Sequence, residues 1–481
     1  MRTAFVSVAD GWAAQLLGAL LLCVLLASAY LWSIGLRATF AASITGDEPF
    51  YLLTAQSLQQ DGNLDLRRQY ATESYRAFFD HPNRLWKQSI PHADGAILSP
   101  HEPGLSLLVM PGYMAAGLTG VQVELMLLAA ATFALAFLLT GLETGAWLMS
   151  WIVTATVGLT APAFVYATEI YPEMPAALCV VVAVLLLRSR HGGAGTAVGL
   201  VAVLTALAWL GLKFVPLGLV LAAAFLVTRT GRARIVFLAL GALSGAIYVW
   251  FHLAVFGALT PYNSNTVYEG ASTWNVLGSH VALHERIYRL WGLFIDRRFG
   301  IARWAPIFLA VLPGLALLPR LRRAGPAVLG LIVVALVMAS FVSVTMMGWW
   351  FPGRMVIVVY PLFPLVLTLV LMRLPRALRI PAAAVALYSL LVTALLVASV
   401  RAGETAVAVN PFDMRAWPFR MAGPLFPQYT AWGVDTVVLT ILWLGVGTAV
   451  LVILAWNDLR RILPRRPGKA RAGSTIPLTE P

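Results

Sequence analysis

The stretch Ser43–Gly62, "SITGDEPFYLLTAQSLQQDG", follows the first long apolar run and sets two carboxylates, Asp47 and Glu48, side by side at what must be a membrane surface. Two readings are open there. Asp47 followed by Pro49 suits the start of a helix, the Asp47 side chain accepting hydrogen bonds from the first amides. A carboxylate at a lipid–water boundary also suits proton abstraction. Partial drying raises its basicity, and it could take the proton of an acceptor hydroxyl while a donor's lipid tail stays in the bilayer. Glu169 and Glu173, in "ATEIYPEMPA", form a second acidic connection. They read either as solvated loop acids or as carboxylates facing the first pair across a cavity, serving as acid–base partners, metal ligands or acceptors of sugar hydroxyls. Lys213 in "WLGLKFVPL" and Arg354 in "GWWFPGRMV" are bracketed by apolar residues. A charge in that setting either snorkels or needs a partner. Together the two cations would clamp the phosphate of a lipid-linked donor. Arg303, in "FIDRRFGIARW", is a further candidate for that role. Tyr51, Tyr171, Trp349 and Trp350 suit a sugar pocket or, equally simply, an interfacial aromatic belt. His81, His92 and His101 match no metal-ligand spacing and read as exposed loop histidines. A divalent metal ion is left open as a cofactor.

The elements that must position these groups are membrane helices. The chain has 481 residues, 60% of them hydrophobic and only 11% charged, with a mean hydropathy of +0.81. A soluble chain would carry roughly twice that charge. Continuous rather than alternating apolar runs exclude a membrane β-barrel and predict an all-α, polytopic membrane protein. Twelve spanning helices are expected near residues 12–36, 121–141, 146–166, 174–188, 195–211, 213–228, 235–256, 304–318, 326–346, 355–372, 381–400 and 434–456. The first is read as uncleaved, because its apolar run continues past the "ASA" of residues 27–29. Cys23 and Cys179 both lie in apolar runs and imply no disulfide framework.

With the N-terminus in the cytoplasm, short basic connections such as "RTGRAR" and "RLPRALR" and the tail "NDLRRILPRRPGKAR" gather on the inside. Of the 34 Lys and Arg residues, 18 fall there, and 17 of the 21 acids fall outside. The basic patches behind the net charge of +13 thus read as topology signals and as contacts for anionic lipids, and nucleic-acid binding is set aside. Both termini are expected in the cytoplasm of a bacterial inner membrane. The segment His101–Gly120, "HEPGLSLLVMPGYMAAGLTG", is apolar but broken by Pro111-Gly112. If it spanned, every later loop would change sides, so it is expected to lie on or dip into the outer leaflet. Three regions are drawn: a catalytic module over 1–372 that includes an outer loop at 37–120, C-terminal helices over 373–456 with an outer loop at 401–433, and a basic tail over 457–481.

The ordered set "GDEPFYLLTAQSLQQDGNLDL", "HEPGLSLLVMPGYMAAG", the acidic second loop, "GLFIDRRFGIARWAPIFLAVLPGL" and "GWWFPGRMVIVVYPLFPLVL" resembles the GT-C class of membrane glycosyltransferases. That class includes the protein O-mannosyltransferases and the lipid A aminoarabinose transferases. The resemblance covers roughly residues 10–370. It implies a polyprenyl-phosphate sugar donor, a glycan, lipid or protein acceptor on the outer face, an inverting displacement, and a first-loop aspartate as general base. That last role falls on Asp47, with Glu48 beside it. Two rival readings stand beside it. One is a secondary transporter or flippase of lipid-linked sugars, which inverted repeats and mid-membrane ionisable residues would favour. The other is a non-catalytic membrane scaffold.

Overall fold

The computed structural model describes residues 2–189, 192–268, 272–321, 324–408 and 410–462. The basic tail expected over 457–481 lies for the most part outside the described residues. Each of the twelve apolar stretches is helical. Six helical segments are long and apolar enough to cross a bilayer: Gly11–Tyr30, Gly104–Thr144, Gly231–Ser264, Arg354–Arg373, Arg376–Arg401 and Val434–Trp456. Shorter apolar helices fill the remaining positions: Trp147–Leu159, Ala194–Leu210, Leu212–Thr228, Pro306–Arg320 and Gly325–Phe341, with Glu173–Arg188 beside them. In lipid every backbone N–H and C=O must be satisfied within the segment, and helices do this. Two stretches depart from the α-helical pitch. Arg354–Leu362 winds as a 3-10 helix before the α-helix Phe363–Arg373, and Pro306–Arg320 alternates between the two forms. Pro313, Pro319, Pro361 and Pro364 lack the N–H donors that a regular α-helix needs there.

Arg354–Arg373 is the innermost span, 83% buried, whereas Gly231–Ser264 and Val434–Trp456 are each only 11% buried. The outer helices turn Ile235, Leu238, Ile441 and Leu442 outward, the surface that lipid would cover. At one end of the bundle Arg188 bonds Glu143 at 2.7 Å and Arg229 donates to the Leu187 carbonyl at 3.0 Å. Three connections therefore meet there, and the acidic 37–103 connection sits at the other end.

The segment after His101 does not span separately. A helix begins at Gly104 and breaks at Ala116 (φ −155°) and Gly117 (φ 58°) before continuing to Thr144. The chain folds back on itself at the break. The Gly112 amide donates to Glu124 at 2.9 Å, and a Cβ on Gly120 would lie 2.0 Å from the Gly112 carbonyl oxygen. Only glycines permit that approach.

The helix Glu48–Asp61 ends at Gly62 in the left-handed region (φ 65°). Its residues from Glu48 to Ser57 are buried, so it is seated inside the end of the bundle and not laid along an interface. The connection after it returns across the same end. Asp80 accepts from the Ser43 amide at 2.7 Å and from Arg37 at 3.0 Å. Gln88 and Ile90 pair with Thr266 and Ser264 of the 257–268 connection.

Candidate active site

Four distant segments meet in one cluster of charges. Asp47 closes the turn that opens Glu48–Asp61. Glu173 is the first residue of its helix, with Pro172 before it. Lys213 lies in a single 3-10 turn between two apolar helices, and Arg354 starts the innermost span. Arg354 joins them: Nη2 donates to Asp47 Oδ2 at 2.9 Å and Nε donates to Glu173 Oε1 at 2.9 Å. Lys213 Nζ donates to the same Glu173 oxygen at 2.6 Å. Two anions and two cations balance, as burial of such charges requires. The Arg354 guanidinium lies 3.8 Å from the Tyr171 ring centre and 4.9 Å from that of Trp350, a stacking that holds its fork in one orientation. Arg354 and Glu173 are closed off, at 3% and 1% side-chain exposure, while Asp47 at 22% and Lys213 at 23% remain partly open.

Asp47 occupies the helix-cap position but makes no capping hydrogen bond; its side chain is committed to Arg354 and to Gln88, whose amide donates at 3.3 Å. His101 completes the group. Its Nε2 lies 2.8 Å from Gln88 Oε1 and 3.7 Å from Asp47 Oδ1, and its ring lies 4.9 Å from that of Tyr51. It is not an exposed loop histidine. Burial draws its pKa down, against the pull of Asp47, and Nε2 is placed to donate to Gln88 Oε1. For Asp47, burial alone would raise the carboxyl, but Arg354 and then His101 more than reverse this and hold it well below the usual carboxylate range.

Glu48 points elsewhere. Its carboxylate accepts from the amides of Thr45 at 2.9 Å and Ile170 at 3.0 Å, bracing the first connection against the second. Burial pushes it up to about 7 despite those two bonds. It shares a cavity of about 10 Å³, the size of one water, with Glu169, Ser33 and Thr168. Glu169 is buried and among the described residues neither of its oxygens has a hydrogen-bond partner; burial, then the nearby Glu48, push its carboxyl well above the ordinary value. Glu169 and Glu173 therefore do not share a helical face. Glu173 serves the cations, and Glu169 faces Glu48. Arg303 stands outside the cluster: it packs 3.8 Å over Phe419 and donates to the Arg297 carbonyl at 2.7 Å. Among the described residues no group of three or more His, Cys, Asp or Glu side chains is arranged to hold a metal ion.

No protein family and no curated protein matches the chain. Solved structures do. ArnT from Cupriavidus metallidurans in the apo state superposes with a TM-score of 0.50 at 17% identity, over 95% of this chain and 75% of that one. The chain has the ArnT fold. The same protein bound to undecaprenyl phosphate gives a TM-score of 0.47 at 18% identity, over 94% of this chain and 79% of that one. With the ArnT fold comes a helical membrane protein, as its apolar helices require.

Within this ArnT fold, two members of the cluster and one separate buried triad carry weak signals in the sequence. Gln88 and His101 lie in an irregular connection whose folding back no periodicity reveals. A third feature is a buried triad in which Glu102 accepts from Tyr248 at 2.6 Å and meets His252 Nε2 at 2.8 Å. The signal for it was His252, the one histidine inside a long apolar helix.

Proposed function

We propose that this protein is an integral membrane glycosyltransferase. It takes a sugar from a polyprenyl-phosphate donor and gives it to a hydroxyl acceptor on the outer face of the plasma membrane, with Asp47 as general base. The observation that carries the reading is the shared guanidinium of Arg354, which sets a partly open carboxylate beside two cations at the end of an apolar bundle. The ArnT fold supports the same class.

The chemistry follows from that arrangement. A donor phosphate entering beside Lys213 competes with Asp47 for Arg354. As Arg354 turns to the phosphate, Asp47 loses the partner that suppresses its basicity and becomes able to take the acceptor proton. The acceptor oxygen then bonds to the anomeric carbon as the bond to the phosphate oxygen breaks. The proton ends on Asp47, and the charge that develops on the leaving phosphate is met by Arg354 and Lys213. A single displacement inverts the anomeric centre. The apolar residues Leu217, Ala335, Met338 and Val358 line a small cavity of about 20 Å³ next to Lys213, which gives that end of the cluster an apolar wall. The basic connections around Arg188 and Arg229 lie at the opposite end, where the positive-inside rule puts the cytoplasm.

The test is transfer of label from polyprenyl-phosphate sugars by membranes carrying the wild-type chain or Asp47→Asn. Loss of a general base lowers the rate by about 10²–10⁴-fold. Unchanged transfer by Asp47→Asn would remove Asp47 from the chemistry, and solute counterflow without transfer would replace the enzyme by a transporter.

A further inference from the structure

Arg303, displaced from the donor cluster, lines a second cavity. This one measures about 420 Å³, within the range of small-ligand sites. Four arginines surround it: Arg297, Arg303, Arg415 and Arg420, against one carboxylate, Asp413. Arg303 is 7% exposed, and its Nε, although buried, has no hydrogen-bond partner among the described residues. Its Nη1 donates to a backbone carbonyl, that of Arg297. Among the described residues no carboxylate forms an ion pair with Arg303, Arg415 or Arg420; Arg297 alone approaches one, Asp435, at 3.7 Å. Asp413 is exposed and pairs with none of the four. Burial, then Arg297, draw the Arg303 pKa down to about 10.

A buried guanidinium with an orphaned N–H and like charges around it is costly unless an anion completes it. We infer that this cavity is a recognition site for a dianionic oxyanion, the phosphate monoester of an acceptor. The excess of guanidinium forks over carboxylates matches a doubly charged, three-oxygen group better than a single carboxylate. A relay of aromatic contacts links the site to the donor cluster. Trp304 touches Phe419 on the cavity side (4.4 Å between ring centres) and Phe351 on the other (4.9 Å), and Phe351 precedes Arg354 by three positions. Calling the ligand an acceptor rests on the glycosyltransferase reading; anion binding itself does not.

The experiment reads the site directly. The full chain in phosphatidylcholine nanodiscs is treated with phenylglyoxal, and modification of each arginine is followed by peptide mass spectrometry, with and without inorganic phosphate. A parallel set carries phosphatidic acid in the nanodisc and no free phosphate. Modification of Arg415 and Arg420 is expected to slow about tenfold or more, the worth of one charge-assisted hydrogen bond, while Arg401 is unaffected. Protection by phosphate identifies a water-borne group and protection by phosphatidic acid a lipid headgroup; either supports the site. Protection in neither set overturns it. Since Arg303 is buried and its loss could unfold the chain, the exposed pair Arg415→Gln/Arg420→Gln supplies the binding control and should weaken phosphate binding by a similar factor. Asp47→Asn should keep the protection, so a failure of transfer and a failure of anion binding are told apart.

Discussion

Arg354 bonds Asp47 across 307 positions of sequence, at 2.9 Å, and the same guanidinium holds Glu173 at 2.9 Å. The pairing turns two acidic connections and an internal helix into one unit, and it sets what each substitution should do.

Arg354→Gln leaves Glu173 with Lys213 alone and frees Asp47 from its strongest partner. Breaking a buried pair of this kind costs about 3–5 kcal/mol, so the melting temperature in detergent should fall clearly and donor-dependent transfer should vanish. Arg354→Lys is expected to recover part of the stability and little of the rate, because an ammonium cannot reach both carboxylates in the fork geometry.

Lys213→Met is the milder change. Glu173 keeps Arg354, so the fold should survive. The donor phosphate loses one charged contact, and KM for the donor should rise about ten- to hundredfold with a smaller change in kcat. An unchanged KM would take Lys213 out of the donor site.

Glu48 gives a pH prediction of defined sign. Its carboxyl is raised from 4.5 to about 7, so the folded chain holds a proton there that the unfolded chain releases. Stability from this group is full below about 4.5 and is lost as pH rises through 7. Asp47 runs the other way: its lowered carboxyl contributes above the ordinary aspartate range and fails in acid. In Glu48→Gln the decline of melting temperature between pH 5 and about 7 should flatten. The curve should also start lower, since one amide oxygen replaces the two that accept from Thr45 and Ile170.

Gly46 precedes Asp47 with φ +60°, and a Cβ there would lie 2.7 Å from the Tyr171 hydroxyl. Gly46→Ala should push Tyr171 off the Arg354 guanidinium and cost about 1–2 kcal/mol in backbone strain. Transfer should drop although Asp47 is intact. Adding Tyr171→Phe removes the hydroxyl and should restore part of the rate; no recovery would mean that strain alone causes the loss.

Much of this architecture is legible in the sequence because a bilayer enforces it. Spans show as apolar runs, and a charge among apolar neighbours is costly enough to announce a partner, which is why Glu173, Lys213 and Arg354 stand out. What is hidden depends on directions and returns. Adjacent residues at a helix start diverge by about 100°, so Asp47 and Glu48 face different partners although nothing in "GDEP" separates them. Pro172 places Glu173 at the beginning of a helix and leaves Glu169 in the turn before it, turned toward Glu48. His101 is buried by a connection that crosses the bundle end twice. Arg303 shares its apolar setting with Arg354, yet it belongs to the arginine-lined cavity, because that cavity is completed by the 411–424 connection far along the chain.

The order of synthesis gives the shared guanidinium a further meaning. Glu173 and Lys213 can neutralise each other as soon as both have been inserted, since only 40 positions divide them. Asp47 must wait until Arg354 arrives. Through most of biogenesis the first connection therefore carries a carboxylate without its cation, and the bundle end closes over it only when the tenth apolar stretch is threaded home. Chains cut short before that stretch should remain unsealed at this end and be natural prey for membrane quality control.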